Sequence, residues 1–250
     1  MPTRYIGMGY WELISRQMSI VTKSQQTRFK ESEVTVIGCG GIGGSLIEQL
    51  ARMGVGKINL IDKDIFDLSN MNRQLISGLE TLGKEKSYSA KERVRNVNPY
   101  VEVNAFDEEL NEENVETVIG DSDVVLDALD NLVTRVIVSR AAKKLKIPYV
   151  HGAIHGTMGQ VSVFTPETKT YEEMFKLPSI DKELDENTIK DINSLNRGVP
   201  PVIGPTPNIV GCLEAFEAFK LITGVGEVTY SPELLSFNIL DLSSFDVIEL

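Results

Sequence analysis

The run VTVIGCGGIGG at residues 34–44 constrains the fold more than any other stretch of the chain. Val34, Thr35, Val36 and Ile37 form a β-branched strand that stops abruptly at Gly38. Gly38, Gly40 and Gly43 then complete a G-x-G-x-x-G turn, with Gly41 inside it. Glycines permit a tight turn and a close backbone approach, and the helix that follows offers its positive end to a phosphate. Binders of NAD, FAD and ATP share this signature, so it points to a nucleotide without choosing one.

The rest of the chain repeats the theme. Helices are expected over 45–53, closed by Gly54 and Gly56, and over 84–96, closed by Asn98-Pro99. Two more are expected over 112–119 and 132–145. Strands are expected over 57–61, 101–106, 124–127, from 148, and over 159–164. Strands alternating with helices dictate βαβ units, hence an α/β, Rossmann-like, doubly wound and mostly parallel sheet. Residues 234–250 add a few antiparallel C-terminal strands, with a turn expected near 242–244. The 250 residues fit a single domain over 1–250. It carries an N-terminal helical arm at about 10–30 and a crossover insertion at about 166–206. The insertion is acidic, with Tyr171, Phe175 and Leu177 as apolar anchors and one short helix over 185–195. Val199-Pro200-Pro201 and Pro205-Thr206-Pro207 bracket a stiff passage. An apolar helix over 208–222 follows; its small residues at 211–219 would suit a subunit interface, and Cys212 reads as core.

A formal net charge of −11 argues against nucleic acid and anionic membranes as partners. No apolar run approaches the about 20 residues of a spanning helix, and the opening MPTRYIGMGYWELISRQ lacks the apolar segment of a leader. A cytoplasmic location is the expectation. Neither cysteine belongs to a C-x-x-C pair, so no structural zinc is expected. Cys39 reads as a small filler of the glycine turn.

Polar residues cluster where an open sheet binds ligands, beyond the carboxyl ends of the strands. Asp62 ends the second strand, where a carboxylate accepts ribose hydroxyls. Asp64 fits either a ribose contact or a turn cap. Asn70, Arg73 and Gln74 discriminate among nucleotides, because a guanidinium forks onto phosphate oxygens and has no evident task beside a nicotinamide. Lys86 opens the next helix and can meet a phosphate as a point charge. Asp130 follows the strand VVLD, where it fits a Mg²⁺ shared with phosphate or a helix cap. Asp127 reads as structural, Arg135 as a local partner, and His151 and His155 as core or loop residues flanking a glycine-rich turn. Arg16, far upstream, reads from its surroundings as a solvated helix residue.

GCGGIGG, LIDKDIFDLSNMNRQ, LGKEK, DALDN and HGAIHGTMGQVSVF together resemble the ubiquitin-activating-enzyme-like adenylyltransferases, the ThiF, MoeB and HesA group, over about residues 15–222. The resemblance implies a homodimer that uses ATP and Mg²⁺ to convert a carboxylate into an acyl adenylate, releasing pyrophosphate. By matching motif, Asp62 would bind ribose; Asn70, Arg73 and Lys86 would hold the triphosphate; and Asp130 would coordinate Mg²⁺. Arg16 would reach the ATP of the partner subunit. Two departures narrow the picture: the paired C-x-x-C motifs common in the group are missing, and residues 166–206 hold no cysteine for thioester or persulfide chemistry. That pattern is similar to the branch serving iron-guanylylpyridinol cofactor assembly in methanogens. It implies a small-molecule carboxylate and a separate, downstream acyl-accepting protein. The alternatives are the C-terminal glycine of a ubiquitin-like or sulfur-carrier protein, an NAD-dependent oxidoreductase, and a non-catalytic nucleotide-binding subunit.

Overall fold

The computed structural model describes residues 9–195, 198 and 201–250. The stiff passage at Val199 and Pro200, and the first eight residues of the opening segment, lie outside the described residues. Among the described residues eight strands form one sheet: β1 (Glu33–Ile37), β2 (Lys57–Ile61), β3 (Glu102–Phe106), β4 (Val124–Asp127), β5 (Tyr149–His155), β6 (Met158–Phe164), β7 (Glu233–Asn238) and β8 (Asp241–Glu249). Their spatial order is β3-β2-β1-β4-β5-β6-β7-β8. Pairs from β3 through β5 are parallel, and β5-β6, β6-β7 and β7-β8 are antiparallel. The winding direction reverses at β1, which has β2 on one side and β4 on the other. A crevice opens at such a switch point, beyond the strand ends.

Side chains alternate across the sheet with period two. Val34, Val36, Ile58, Leu60, Val124 and Leu126 enter one core. Ile37, Ile61 and Val125 enter the other. The first core lies under α2 (Lys23–Glu31), α3 (Gly41–Met53), α4 (Lys86–Val97) and α9 (Pro205–Thr223). The second lies under α5 (Val115–Ile119), α6 (Leu132–Leu145), α7 (Tyr171–Phe175) and α8 (Glu186–Ser194). Among the described residues no helix is long and apolar enough to cross a membrane.

Several local expectations are corrected. The arm is not continuous: α1 (Gly9–Leu13) is followed by a 3-10 turn at Ser15–Gln17, and α2 starts afresh on a capping box of Thr22 and Gln25. The helix after the glycine turn begins at Gly41 rather than 45, because Gly44 N–H already donates to Gly40 O. HGAIHG is not a turn at its start: His151 to His155 are strand residues pairing antiparallel with β6. The C-terminal turn falls at Ile239 and Leu240, earlier than 242–244. There the Asn238 carboxamide accepts Leu240 N–H, while Ser243 and Ser244 sit inside β8. The insertion contains α7, capped by Thr170 and Glu173, besides the expected α8. Gly211 faces α3 within the same chain, not a partner: a Cβ there would lie 2.2 Å from Ser45 Oγ and 2.4 Å from Ile42 O. Cys212 is exposed beside Ser45 of α3 rather than buried in the core.

Candidate functional site

Backbone geometry builds the floor of the site. Gly38 takes φ +98°, and its N–H donates to Ile61 O at 2.8 Å, tying the end of β1 to the end of β2. A Cβ on Gly43 would lie 1.9 Å from Gly38 O, so the turn closes only with glycine there. The Asp62 carboxylate accepts Cys39 N–H at 2.7 Å and Asp64 N–H at 2.8 Å, so it fastens the turn to the end of β2. Burial raises its pKa, against the two backbone donors and the Lys86 charge, which lower it. Cys39 is fully buried; burial, then the Asp62 charge, push its thiol well up, which fits filler and not a nucleophile.

A cavity of about 600 Å³ opens above this floor. Gly38, Gly40 and Gly41 face it from below, and Asp62, Asp64 and Lys86 from the β2 side. Arg73 and Gln74 close one end; Asp130, Asn131 and Arg135 line the β4 side. Three of the residues singled out in the sequence are not on this wall. Gly43 lies behind the turn. Asn70 is buried in the loop, where its carboxamide accepts Asp67 N–H and its carbonyl accepts Arg73 N–H and Gln74 N–H. Asn70 therefore shapes the turn that presents Arg73 and Gln74. Arg16 is exposed in the 3-10 turn of the arm.

Two cations on this wall, Arg73 and Lys86, suit an anion. Arg73 Nη1 donates to Ser69 O and Asn72 Oδ1, both at 2.9 Å, which leaves guanidinium donors free for a ligand. Gln74 Oε1 is buried with no partner among the described residues. Lys86, the first residue of α4, pairs with Asp64 Oδ2 at 2.9 Å. Asp64 is thus neither a turn cap nor free: it occupies the ammonium that would face a phosphate. Asn131, not Asp130, caps α6, accepting Thr134 N–H at 2.9 Å. Asp130 stays exposed on the cavity and hydrogen-bonds to no described residue. A polyphosphate fits this set, since backbone held in place by Gly38 and Gly43 and the two cations Arg73 and Lys86 meet there, while Gln74 Oε1, an acceptor, suits a hydroxyl or amine donor of a nucleotide and not its phosphates. A Mg²⁺ taking most of its ligands from phosphate and water fits the single carboxylate of Asp130.

Sequence reasoning missed the charged unit behind this wall. Asp127, fully buried, accepts Arg135 Nε at 3.1 Å, the Tyr149 hydroxyl at 2.6 Å, His151 Nδ1 at 2.8 Å and Leu129 N–H at 2.8 Å. Burial pushes its carboxyl up, but the Arg135 guanidinium and the His151 and Tyr149 donors outweigh that and hold it below the usual range. Burial lowers the pKa of His151 against the pull of Asp127, so the ring is neutral and donates from Nδ1. Arg135, read from sequence as a local partner, is a buried member of this cluster. Glu214 on α9 is fully buried with both carboxyl oxygens unpartnered among the described residues. Burial, then the Asp127 charge, push its pKa well up. The periodicity of Val210, Gly211, Ala215 and Ala218 carried the signal for Glu214, since residues three and four apart share a helix face.

Glu214 sets a pH dependence. Its folded pKa is raised, so its contribution to stability is complete below the unfolded carboxylate pKa and is lost as pH rises towards the folded value. Glu214→Gln removes that loss. The variant is expected to gain on wild type by several degrees of thermal midpoint between pH 5 and pH 9, at about 2–4 °C per kcal/mol for a chain of this size. A difference that stays flat across that range would contradict a neutral Glu214.

A model of the ThiF family matches residues 14–250. Relatives include the SAMP-activating enzyme E1 of Haloferax volcanii, 34% identical over 90% of this chain and 80% of that protein. The molybdopterin-synthase adenylyltransferase of Haemophilus influenzae is 32% identical over 89% of each chain. The sulfur carrier protein adenylyltransferase of Thermus thermophilus is 33% identical over 91% and 83%. Among solved structures, PaaA superposes with a TM-score of 0.77 at 22% identity, covering 100% of this chain and 76% of that one. E. coli MccB with ATP superposes with a TM-score of 0.75 at 22% identity, covering 90% and 64%. At that identity the likeness concerns the fold, including its antiparallel C-terminal strands. The chain belongs to the ThiF family, and it is an ATP-using adenylyltransferase.

Proposed function

We propose that the chain joins AMP to the carboxylate of a small molecule, guanylylpyridinol, in the manner of the HcgE-type branch of iron-guanylylpyridinol cofactor assembly in methanogens. The observation that carries the reaction is the convergence of the glycine cradle, Arg73, Lys86 and Asp130 on one cavity. In this reading one substrate carboxylate oxygen bonds to the α-phosphorus of ATP. The bond from that phosphorus to the bridging oxygen breaks, and pyrophosphate leaves with the electron pair. The carboxylate is already ionised, so no protein base is required. Catalysis is alignment and neutralisation of charge.

Asp62 meets the ribose, and Gly40 and Gly41 offer backbone to the phosphates. Arg73 and Gln74 hold the phosphate tail, supported by Asn70. Lys86 leaves Asp64 for a phosphate oxygen, exchanging one anion for another. Mg²⁺, held by Asp130, would supply further positive charge to the phosphates. Residues 1–250 act as one domain, and Arg16 serves the site of a second copy in a homodimer. The small-molecule reading rests on the cysteines. Cys39 is buried with a raised pKa and neither Cys39 nor Cys212 lines the cavity, so the cavity has no thiolate to receive the acyl group. A separate protein therefore takes it.

A second reading, the C-terminal glycine of a ubiquitin-like or sulfur-carrier protein, is favoured by the relatives named as SAMP-activating and sulfur carrier enzymes. ATP–pyrophosphate exchange separates the two. Exchange with guanylylpyridinol and none with a carrier protein is expected. Exchange with the carrier alone would transfer the activity to the second reading.

A further inference from the structure

Arg135 lies on the wall of the nucleotide cavity, yet its donors point backwards into the protein. Nε bonds to Asp127 at 3.1 Å. Nη2 donates to two carbonyls at once, Leu129 O and, at 3.0 Å, Gly152 O. Leu129 immediately precedes Asp130, the carboxylate offered to Mg²⁺. Gly152 immediately precedes Ala153 and Ile154, which face the same cavity from β5. One guanidinium therefore spans the gap between the loop after β4 and the strand beside it. Asp127 reinforces the span by accepting Leu129 N–H as well. Asp130 itself has no other hydrogen bond to hold it among the described residues.

We propose that Arg135 is a positioning residue: by clamping Leu129 O to Gly152 O it fixes where the Asp130 carboxylate stands, and so sets metal affinity at the nucleotide. The inference rests on the metal role assigned above to Asp130. Arginine is required because a planar fork reaches a carboxylate and two carbonyls together, whereas a lysine ammonium keeps the charge opposite Asp127 and gives up the span. Groups that orient a metal ligand typically contribute 10–100-fold in affinity.

The test uses Mn²⁺ as a paramagnetic probe, titrated into the whole protein with and without a non-hydrolysable ATP analogue. Arg135→Lys is expected to weaken Mn²⁺ binding to the protein–nucleotide complex by about 10-fold or more. Affinity for the metal-free analogue should stay within about 3-fold of wild type, because the glycine turn, Arg73 and Lys86 are untouched. Tyr149→Phe serves as the second variant: it removes the 2.6 Å hydrogen bond to Asp127 and leaves both carbonyl contacts of Arg135 in place. It is expected to lower the thermal midpoint without changing Mn²⁺ affinity. Wild-type Mn²⁺ affinity in Arg135→Lys would overturn the inference, as would an equal loss in Tyr149→Phe or an equal loss of metal-free nucleotide. These results would leave adenylylation intact. A wild-type protein that binds no nucleotide at all would overturn the proposed function and this inference together.

Discussion

Arg73→Ala is expected to lower carboxylate-dependent ATP–pyrophosphate exchange by about 10²–10³-fold, the usual loss when one preorganised donor to developing charge is removed. The loop that carries Arg73 is built by other groups: the Asn70 carbonyl accepts the Arg73 and Gln74 N–H groups, and its carboxamide accepts Asp67 N–H. Among the described residues the Arg73 side chain donates two hydrogen bonds, to Ser69 O and Asn72 Oδ1. The thermal midpoint should therefore stay within about 2 °C of wild type, a stability change of roughly 0.5 kcal/mol. Arg73→Lys should recover part of the rate, since a point charge neutralises phosphate without gripping two oxygens. Exchange by Arg73→Ala within about 3-fold of wild type would show that this side chain does not face the reacting phosphates.

The largest stability effect is expected at Asp127. Asp127→Ala leaves the buried Arg135 guanidinium without its counter-charge and strands the Tyr149 and His151 donors. Removing one partner of a buried pair costs about 3–5 kcal/mol, or roughly 6–20 °C at about 2–4 °C per kcal/mol. Replacing both charges, in Asp127→Leu with Arg135→Met, should recover much of that loss, because the penalty comes from the unpaired charge and not from missing attraction. The sign with pH follows from the lowered pKa of Asp127. Its contribution is present above the unfolded carboxylate pKa and is lost as pH falls through the folded value. Wild type and Asp127→Ala should therefore converge in stability in strong acid, as followed by denaturant titration. A variant as stable as wild type at pH 7 would contradict the buried cluster.

The sequence made visible what is local and continuous. β2, β4 and α6 fall at the expected residues, because period and capping signals are written within each segment. Most of the cavity residues lie in three short motifs at strand ends, so their grouping followed from the parallel winding alone. What stayed hidden depends on distant neighbours. Asp127 looks like a strand-end carboxylate until Tyr149 and His151, on the next strand, close over it. Glu214 looks like a surface acid until α9 lies on α3 and β5. The same packing buries Gly211 against α3 and leaves Cys212 exposed at the edge of that contact. The change of direction after β5 was illegible because a short hairpin and a βα connection both begin with glycine and polar residues. Asp64 was ambiguous because its partner, Lys86, arrives 22 residues later.

The central claim is that a substrate carboxylate oxygen attacks the α-phosphorus of ATP. The most direct measurement supplies the substrate with ¹⁸O in its carboxyl group, traps the activated acyl group with hydroxylamine, and recovers AMP for mass spectrometry. Attack by the carboxylate places one of its oxygens on phosphorus, and hydroxylamine then cleaves at the acyl carbon. The expected result is AMP heavier by one ¹⁸O. Unlabelled AMP, or ¹⁸O appearing in inorganic phosphate with ADP as the nucleotide product, would contradict the account.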